Sequence, residues 1–441
     1  MFVSKRILFF KSKENGYMLF CGNSNSFYQI DDENVPVIQK MIDTGSEDDL
    51  PEDIRKEFVK SGVLLNESDE EFFNRLKFSS YLTRFSKNHL ALTIAPTMAC
   101  NFKCVYCYEG SRVKNVTMTQ EVMDGVIEFI KKSECKSLSI TWYGGEPLCA
   151  WDKILEFNTK IDDLHLQSFT QDIVTNGSLL DKDKITYLLE KDFKNIQITL
   201  DGCEEIHNKS RPMKNGQNSF QTIMSKLDLL AEIYKKACKK LPVTIRVNIS
   251  EKNANDFQKL YSMLNEKYEN LFYVYPAFVT KNDDNDCHAS TCFTFEKEAE
   301  FILKLSKEYG VETNKLFPER NKVIGCGAQV INNYVISSNG NIYKCWDDIS
   351  DDTKVIGNVI KGRKDENNIN YKFIINSTGF EVKECKECLF LYSCMGGCPR
   401  FRMNNQTAGK EVNPVCVVIK NKPEEFLETY FEMQEKNKCC C

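Results

Sequence analysis

An α/β fold is what this sequence predicts, and three observations predict it. From about residue 90, strand-length apolar runs alternate with helix-period stretches over some 200 residues. The residues before about 85 follow a shorter pattern, two strand-like runs and then two short helices. From about residue 311 onward, Cys, Asn and Gly become frequent and long periodic helices thin out. Repeated strand–helix units imply a parallel sheet, open or rolled into a barrel. Such sheets carry their active sites at the C-terminal ends of the strands, where the loops gather.

The N-terminal region, residues 1–85, reads as a small module of its own. Tyr17 to Cys21 and Ser26 to Ile30 are strand-like and flank the turn residues Asn23-Ser24-Asn25. Val35 to Ile42 is apolar at helical spacing and stops at Thr44-Gly45. A second helix opens at Pro51, runs through Ile54, Phe58 and Val59, and stops at Ser61-Gly62. Strands plus two short helices look like a winged-helix unit. The acidic run Glu47 to Asp49 argues against DNA as its partner, and a plain structural cap is the alternative. In the central region, 86–310, strands are expected at Leu90–Ile94, Ser137–Trp142, Gln171–Thr175, Asn195–Leu200 and Pro242–Asn248. Helices are expected at Gln120–Lys132, Asp152–Ile161, Lys182–Glu190 and Phe220–Lys239. The third region, 311–441, has the composition of a small domain that folds around metal staples.

Bulk composition removes several function classes. A net charge of −5 offers no basic excess for nucleic acid. No apolar run approaches the roughly 20 residues of a membrane span. The short apolar stretch Ile7 to Phe10 is ended by Lys11 and Lys13 and is not a signal peptide, so a cytoplasmic location is expected. Twenty cysteines in a large chain without an export signal mean metal rather than disulfides. With only four histidines, coordination by thiolates points to iron–sulfur clusters or zinc.

The first cysteine group is Cys100-Asn-Phe-Lys-Cys104-Val-Tyr-Cys107, spaced C-x3-C-x2-C directly after the first central strand. Three thiolates can hold three corners of a four-iron cubane and leave one iron open, the mark of a catalytic site. A structural zinc or a ferredoxin-like carrier wants a fourth ligand, and no Cys or His lies close in sequence. Trp142-Tyr-Gly144-Gly145-Glu146-Pro147 ends the next strand, and Thr175-Asn176-Gly177 the one after. Thr199-Leu-Asp201-Gly202, followed by His207 and Arg211, ends the fourth.

In this order the motifs resemble those of the radical S-adenosylmethionine (SAM) enzymes, whose fold is a partial (β/α)6 barrel. The resemblance implies a [4Fe-4S] cluster on Cys100, Cys104 and Cys107, with SAM at the open iron. It implies SAM contacts from Tyr106, Gly144, Gly145, Glu146, Thr175, Asn176, Thr199 and Arg211. Thr199 stands where the family has Ser and keeps the hydroxyl. The chemistry implied is reductive cleavage of SAM to methionine and a 5′-deoxyadenosyl radical, which abstracts a substrate hydrogen. An electron donor such as a flavodoxin or ferredoxin is then expected as a partner.

Seven more cysteines follow: Cys326-x13-Gly340-x4-Cys345, Cys385-x2-Cys388-x5-Cys394-x3-Cys398, and Cys416. The spacing resembles the SPASM extension of radical SAM enzymes that modify peptides. That resemblance implies two auxiliary [4Fe-4S] clusters, one on Cys385, Cys388, Cys394 and Cys416, the other on Cys326, Cys345 and Cys398. Seven ligands leave one auxiliary iron open to a substrate thiolate, unless a non-Cys ligand, Cys287, Cys292 or the tail completes the shell. Trp346 stands where some SPASM enzymes have a basic Asp, and Asp347 and Asp348 read as a solvated turn. Cys439, Cys440 and Cys441 read as a tail, with metal loading as the alternative. Cys21, Cys135, Cys149, Cys203 and Cys238 are expected to pack as small apolar residues.

The function expected from the resemblance is maturation of a ribosomally made precursor peptide. Its leader would bind the N-terminal module by adding a strand to a sheet edge, and a Cys thioether crosslink is the expected product. Two other readings stand beside it. One is a sulfatase-maturating enzyme that makes formylglycine, and the other an iron–sulfur redox-sensing regulator.

Overall fold

A computed structural model of the chain describes residues 1–107, 115–237, 241–279, 292–311, 313, 315–318, 323–363, 365–411 and 414–439. Lys239, Cys238, Cys287, Cys440 and Cys441 lie outside the described residues. The chain forms two compact units, and one of them is discontinuous. It joins Met1–Ser86 with Phe295–Ile331 and Tyr371–Cys441, while the other comprises Lys87–Thr294 and Asn332–Asn370.

The first unit begins with β1 (Phe2–Val3), β2 (Ile7–Lys11), β3 (Tyr17–Cys21) and β4 (Ser26–Ile30), then α1 (Val35–Thr44), α2 (Glu52–Lys60), β5 (Leu64–Leu65) and α3 (Asp69–Arg84). β2, β3 and β4 make an antiparallel sheet with β3 central, and β1 pairs with β5. Leu19, Cys21, Ile38, Met41 and Phe58 form the core between sheet and helices. The stops read from sequence are caps here: Gly45 is left-handed at φ 70°, and Ser61 closes α2. The run from Ile7 is a strand rather than a bare apolar stretch. α3 escaped the reading because its apolar residues ring the helix, leaving Phe78 and Leu82 exposed. Its start is nonetheless coded, by a capping box in which Ser68 and Glu71 exchange hydrogen bonds.

Later segments complete this unit. Arg84, almost fully buried, donates to the carbonyls of Gln329 (3.2 Å) and Ile374. Arg6 donates to the Lys386 carbonyl at 2.5 Å and lies 4.6 Å over the Tyr392 ring. Phe20 packs its ring against Phe317 and Phe390. The C-terminal region is less poor in helix than its composition implied, since Pro423–Cys439 is one helix of 17 residues.

The second unit is built on β6 (His89–Ile94), β7 (Ser137–Trp142), β8 (Ser168–Thr175), β9 (Phe193–Thr199), β10 (Val243–Ile249) and β11 (Tyr273–Phe278). Between them run α4 (Gln120–Ser133), α5 (Trp151–Asp162), α6 (Lys182–Glu190), α7 (Glu204–Ser210), α8 (Ser219–Lys236) and α9 (Phe257–Tyr268). The six strands pair in chain order and all in parallel. β12 (Asn333–Ile336) adds in parallel on the far side of β6, and β13 (Asn341–Tyr343), β14 (Gly357–Asn358) and β15 (Gly362–Arg363) extend the sheet antiparallel. This is the partial (β/α)6 arrangement with a mixed extension.

Strand alternation gives the sheet two unlike faces. Leu92, Ile140, Ile173, Ile196, Ile198, Ile245 and Val247 are buried. The alternate positions are mostly polar and partly exposed: Thr93, Thr141, Asp172 and Asn195 lie side by side, as do Gln197, Thr244 and Tyr273. A polar concave face suits a sheet that encloses ligands rather than a packed core. Of the scattered cysteines, Cys21 is buried, Cys135 and Cys203 are partly exposed, and Cys149 is exposed, contrary to the expected packing role. Asp348 also departs from the reading, being buried at the end of the turn Trp346–Asp348. No described helix is long and apolar enough to cross a membrane.

Candidate active site

The loop that carries Cys100, Cys104 and Cys107 leaves the C-terminal end of β6 and is tied down along its length. Lys103 N–H donates to the Pro212 carbonyl and Val105 N–H to that of Ser210, while Lys214 N–H returns to Asn101. Phe102 and Met213 form an isolated antiparallel bridge. The loop therefore has a backbone partner of its own, the segment after α7. Cys100 and Cys104 are partly buried and Cys107 is exposed. Phe102 N–H donates to Cys100 Sγ at 3.3 Å.

The Gly144-Gly145-Glu146 turn packs underneath. A Cβ on Gly145 would lie 2.5 Å from the carbonyl oxygens of Met98 and Ala99, and one on Gly144, at φ 105°, would lie 2.7 Å from Thr97 O. Both glycines are required by this close backbone approach. Glu146 is buried and its carboxylate is fully engaged: Oε1 accepts from Thr175 Oγ1 (2.6 Å) and Leu148 N–H (3.0 Å), and Oε2 accepts from Asn176 N–H (2.7 Å). Burial pushes this carboxyl above its usual range, against those donors. Asn176 also reaches the cysteine loop, donating to Asn101 Oδ1 at 2.8 Å. Three strand ends are thus clamped to one loop.

A second clamp closes from the other side. Tyr106 donates its hydroxyl proton to Asp201 and accepts from Arg211 Nη1 (2.7 Å) and Asn248 Nδ2 (3.0 Å). Asp201, buried after β9, also accepts from Asn248 N–H, and Asn253 holds the Asp201 and Asn248 carbonyls. Burial, with Asp201 beside it, keeps the Tyr106 hydroxyl protonated far above its usual range. His207 accepts from Asp201 N–H at Nδ1 (3.2 Å) and is fully buried. Burial, with Arg211 nearby, holds its pKa well below the usual imidazole value, so it is neutral. Thr199 is buried at the end of β9.

The structure brings Tyr106 together with Arg211, and Glu146 with Thr175 and Asn176. Asn101, Asn248 and Asn253 take part without having been singled out. Asn101 sits between two cysteines, and the other two stand at or just beyond a strand end, which is the one signal that could have marked them.

Cys385, Cys388, Cys394 and Cys416 line one cavity enclosing about 320 Å³ of non-atom space, part of it open to solvent. The chain wraps it through three successive left-handed residues, Met395, Gly396 and Gly397. A Cβ on Gly397 would strike the Val415 carbonyl, beside Cys416. Cys326 and Cys398 belong to this same unit, and Cys345 to the sheet unit.

Residues 94–264 match the radical SAM superfamily. The chain contains a radical SAM domain. It is 26% identical over 372 residues to a cysteine-type anaerobic sulfatase-maturating enzyme of Clostridium perfringens (strain 13 / Type A), a match spanning 78% of this chain and 96% of that one. Native anSMEcpe with bound AdoMet resembles it with a TM-score of 0.59 at 23% identity, over 80% of this chain and 100% of that one. Streptococcus suis SuiB bound to precursor peptide SuiA resembles it with a TM-score of 0.52 at 17% identity, over 95% of this chain and 99% of that one. Radical SAM domains use SAM and a [4Fe-4S] cluster as cofactors, and the anSMEcpe structure holds AdoMet.

The donor sets fit such clusters. Burial, with Glu146, Cys104 and Cys107 nearby, pushes the Cys100 thiol up to about 12, and it is coordination to a metal that would take its proton. Among the described residues no three His, Cys, Asp or Glu side chains converge tightly enough for a single ion. Four thiols lining one cavity are the donor type that a four-iron cluster takes.

Proposed function

We propose that this radical SAM maturase modifies a ribosomally made, Cys-containing precursor peptide and installs a Cys thioether. The observation that carries the peptide reading is the β2–β3–β4 sheet, whose outer edges at β2 and β4 pair with no further strand among the described residues. A leader peptide can add there as a fourth strand, which raises the effective concentration of the residue to be modified. The matches support this reading by their coverage. The sulfatase-maturating relative spans 78% of this chain, whereas the SuiB likeness, in a structure holding precursor peptide SuiA, spans 95%.

In this reading Cys100, Cys104 and Cys107 hold the SAM cluster. Cys385, Cys388, Cys394 and Cys416 hold one auxiliary cluster. When bound, SAM and the clusters supply a 5′-deoxyadenosyl radical and a one-electron acceptor. The chain's own residues fix the geometry. Glu146 braces Thr175 and Asn176, the Tyr106–Asp201–Arg211 clamp fixes the cysteine loop, and Gly144, Gly145 and Thr199 border the ligand. The peptide loses one hydrogen atom from Cα or Cβ. Its cysteine sulfur then bonds to that carbon, releasing the thiol proton and one electron, so two hydrogens leave in all. An external one-electron donor such as a flavodoxin or ferredoxin restarts the cycle.

Incubation with SAM and dithionite under anaerobic conditions yields 5′-deoxyadenosine in this reading. Coexpression with Cys-containing peptides encoded nearby yields a product lighter by two hydrogens. Unchanged peptide masses with ongoing SAM cleavage would count against the thioether. The 26% identity to the Clostridium perfringens enzyme favours a second reading, formylglycine formation in a sulfatase. An aldehyde in a coexpressed sulfatase, trapped by a hydrazide, would establish it.

A further inference from the structure

The cavity ringed by Cys385, Cys388, Cys394 and Cys416 is flanked by two cations that no ligand role explains. Arg402 projects from the helix Pro399–Ala408, with Nη2 3.4 Å from Cys385 Sγ and donating to the Gly396 carbonyl at 2.6 Å. Its Nε is buried and has no hydrogen-bond partner among the described residues. Lys420, in the turn Val418–Asn421, places Nζ 3.6 Å from Cys416 Sγ. Both line the cavity along with Phe390, Leu391 and Val417, and no carboxylate does. The two donors thus address two of the four sulfurs.

We infer that Arg402 and Lys420 are tuning residues that raise the reduction potential of the auxiliary cluster on Cys385, Cys388, Cys394 and Cys416, making it the electron acceptor of the reaction. The inference rests on the proposed assignment of those four cysteines. A four-iron cluster with four thiolates is a dianion when oxidised and a trianion after taking up one electron. N–H···S bonds and nearby cations stabilise the added charge, and both are established determinants of cluster potential. Phe390, Leu391 and Val417 line the cavity with apolar surface, which lowers the screening of charge inside it. The balance is simple: the substrate radical left by hydrogen abstraction gives up one electron as the new bond forms, and this cluster goes from its oxidised to its one-electron-reduced state.

The test uses full-length protein carrying Cys100→Ala, Cys104→Ala and Cys107→Ala, so that auxiliary clusters alone contribute signal. Redox titration followed by electron paramagnetic resonance compares this parent with added Lys420→Met, Lys420→Arg and Arg402→Met. Lys420→Met is expected to lower one midpoint by at least tenfold in the reduction equilibrium, about 59 mV for one electron. Arg402→Met should lower the same midpoint further, and Lys420→Arg should leave it in place. Unchanged midpoints in both Met variants at parental iron content would overturn the inference. Lys420 is exposed, so its variant decides the matter even where Arg402→Met assembles no cluster. Iron content that does not fall in Cys385→Ala or Cys388→Ala would instead remove the cluster assignment, and the inference with it.

Discussion

The two cysteine sites are built on opposite principles. The loop of Cys100, Cys104 and Cys107 sits on a six-stranded parallel sheet and is pinned by backbone pairing with residues 210–214 and two buried polar clamps. Cys385 and Cys394 sit on the single-turn helices Lys383–Lys386 and Leu391–Cys394, Cys388 and Cys398 follow in the turns beside them, and the helix Pro399–Ala408 leads on toward Cys416. The first site is shaped by its scaffold, the parallel sheet and the two clamps. The second is held by packing from its own unit, with Arg6 on the Lys386 carbonyl and Phe20 on Phe390, and its four thiols offer a further staple to a bound metal. A site that must admit ligands needs a frame independent of them, whereas a set of cysteines on short turns can be ordered further by the metal it binds.

The largest expected effect breaks the comparison in two. Cys104→Ala should abolish 5′-deoxyadenosine formation while hydrogen exchange across β6–β10 stays at its wild-type level. Cys388→Ala should instead raise exchange throughout residues 383–398 and 414–421, because it removes a staple rather than a reagent. Equal loss of protection around both sites would show that the first loop also depends on iron.

Gly145→Ala probes how tightly the scaffold grips that loop. The added methyl would meet Met98 O and Ala99 O at 2.5 Å, and both are main-chain atoms with no rotamer to yield. Overpacking of this kind costs about 1–3 kcal/mol, read as a fall in the unfolding midpoint, and displacement of the loop should cut SAM cleavage in parallel. A variant with wild-type stability and rate would mean that the turn gives way at little cost.

Tyr106→Phe removes the hydroxyl shared by Asp201, Arg211 and Asn248. Leaving buried groups short of a partner costs about 1–3 kcal/mol. Arg211→Gln in the Tyr106→Phe background should add less than it does alone, since both act through one clamp. Full additivity would show that the two side chains serve the loop independently.

The frame of this site was legible and its clamps were only partly so. Ser137–Trp142 and Lys182–Glu190 fall where their apolar periods end, since strand and helix repeats are local properties of the chain. The cysteine spacings and the Gly-Gly-Glu turn are equally local. Asn248 and Asn253 became functional only when β10 was laid beside β9, and nothing within β10 itself announces that neighbour. α3 shows the complementary failure: its apolar residues face two ways, so its 16 residues give no clean stripe although its cap is explicit. The joining of residues 1–86 with 371–441 in one unit is a long-range fact of the same kind, carried by contacts such as Phe20 on Phe390.

The smallest expected effect separates the sites by pH. His207 is buried and neutral, accepting from Asp201 N–H at Nδ1, so its proton is on Nε2 and a second one has nowhere to go. Its folded pKa lies well below the ordinary value of about 6.5. Below that value the unfolded chain binds a proton that the folded one refuses, so stability is complete above about pH 6.5 and declines as pH falls, by about 1.4 kcal/mol per unit. The loss should be confined to the sheet unit, where Asp201 after β9 and Phe220 of α8 meet this histidine of α7. Hydrogen exchange at pH 7.5 and 5.5 should show weakened protection of residues 193–211 in the wild type, and His207→Leu should remove that dependence. Residues 383–398 contain no histidine and should show no such change across the same range. A wild type whose two sites loosen together on acidification would place the sensitivity in the clusters rather than in His207.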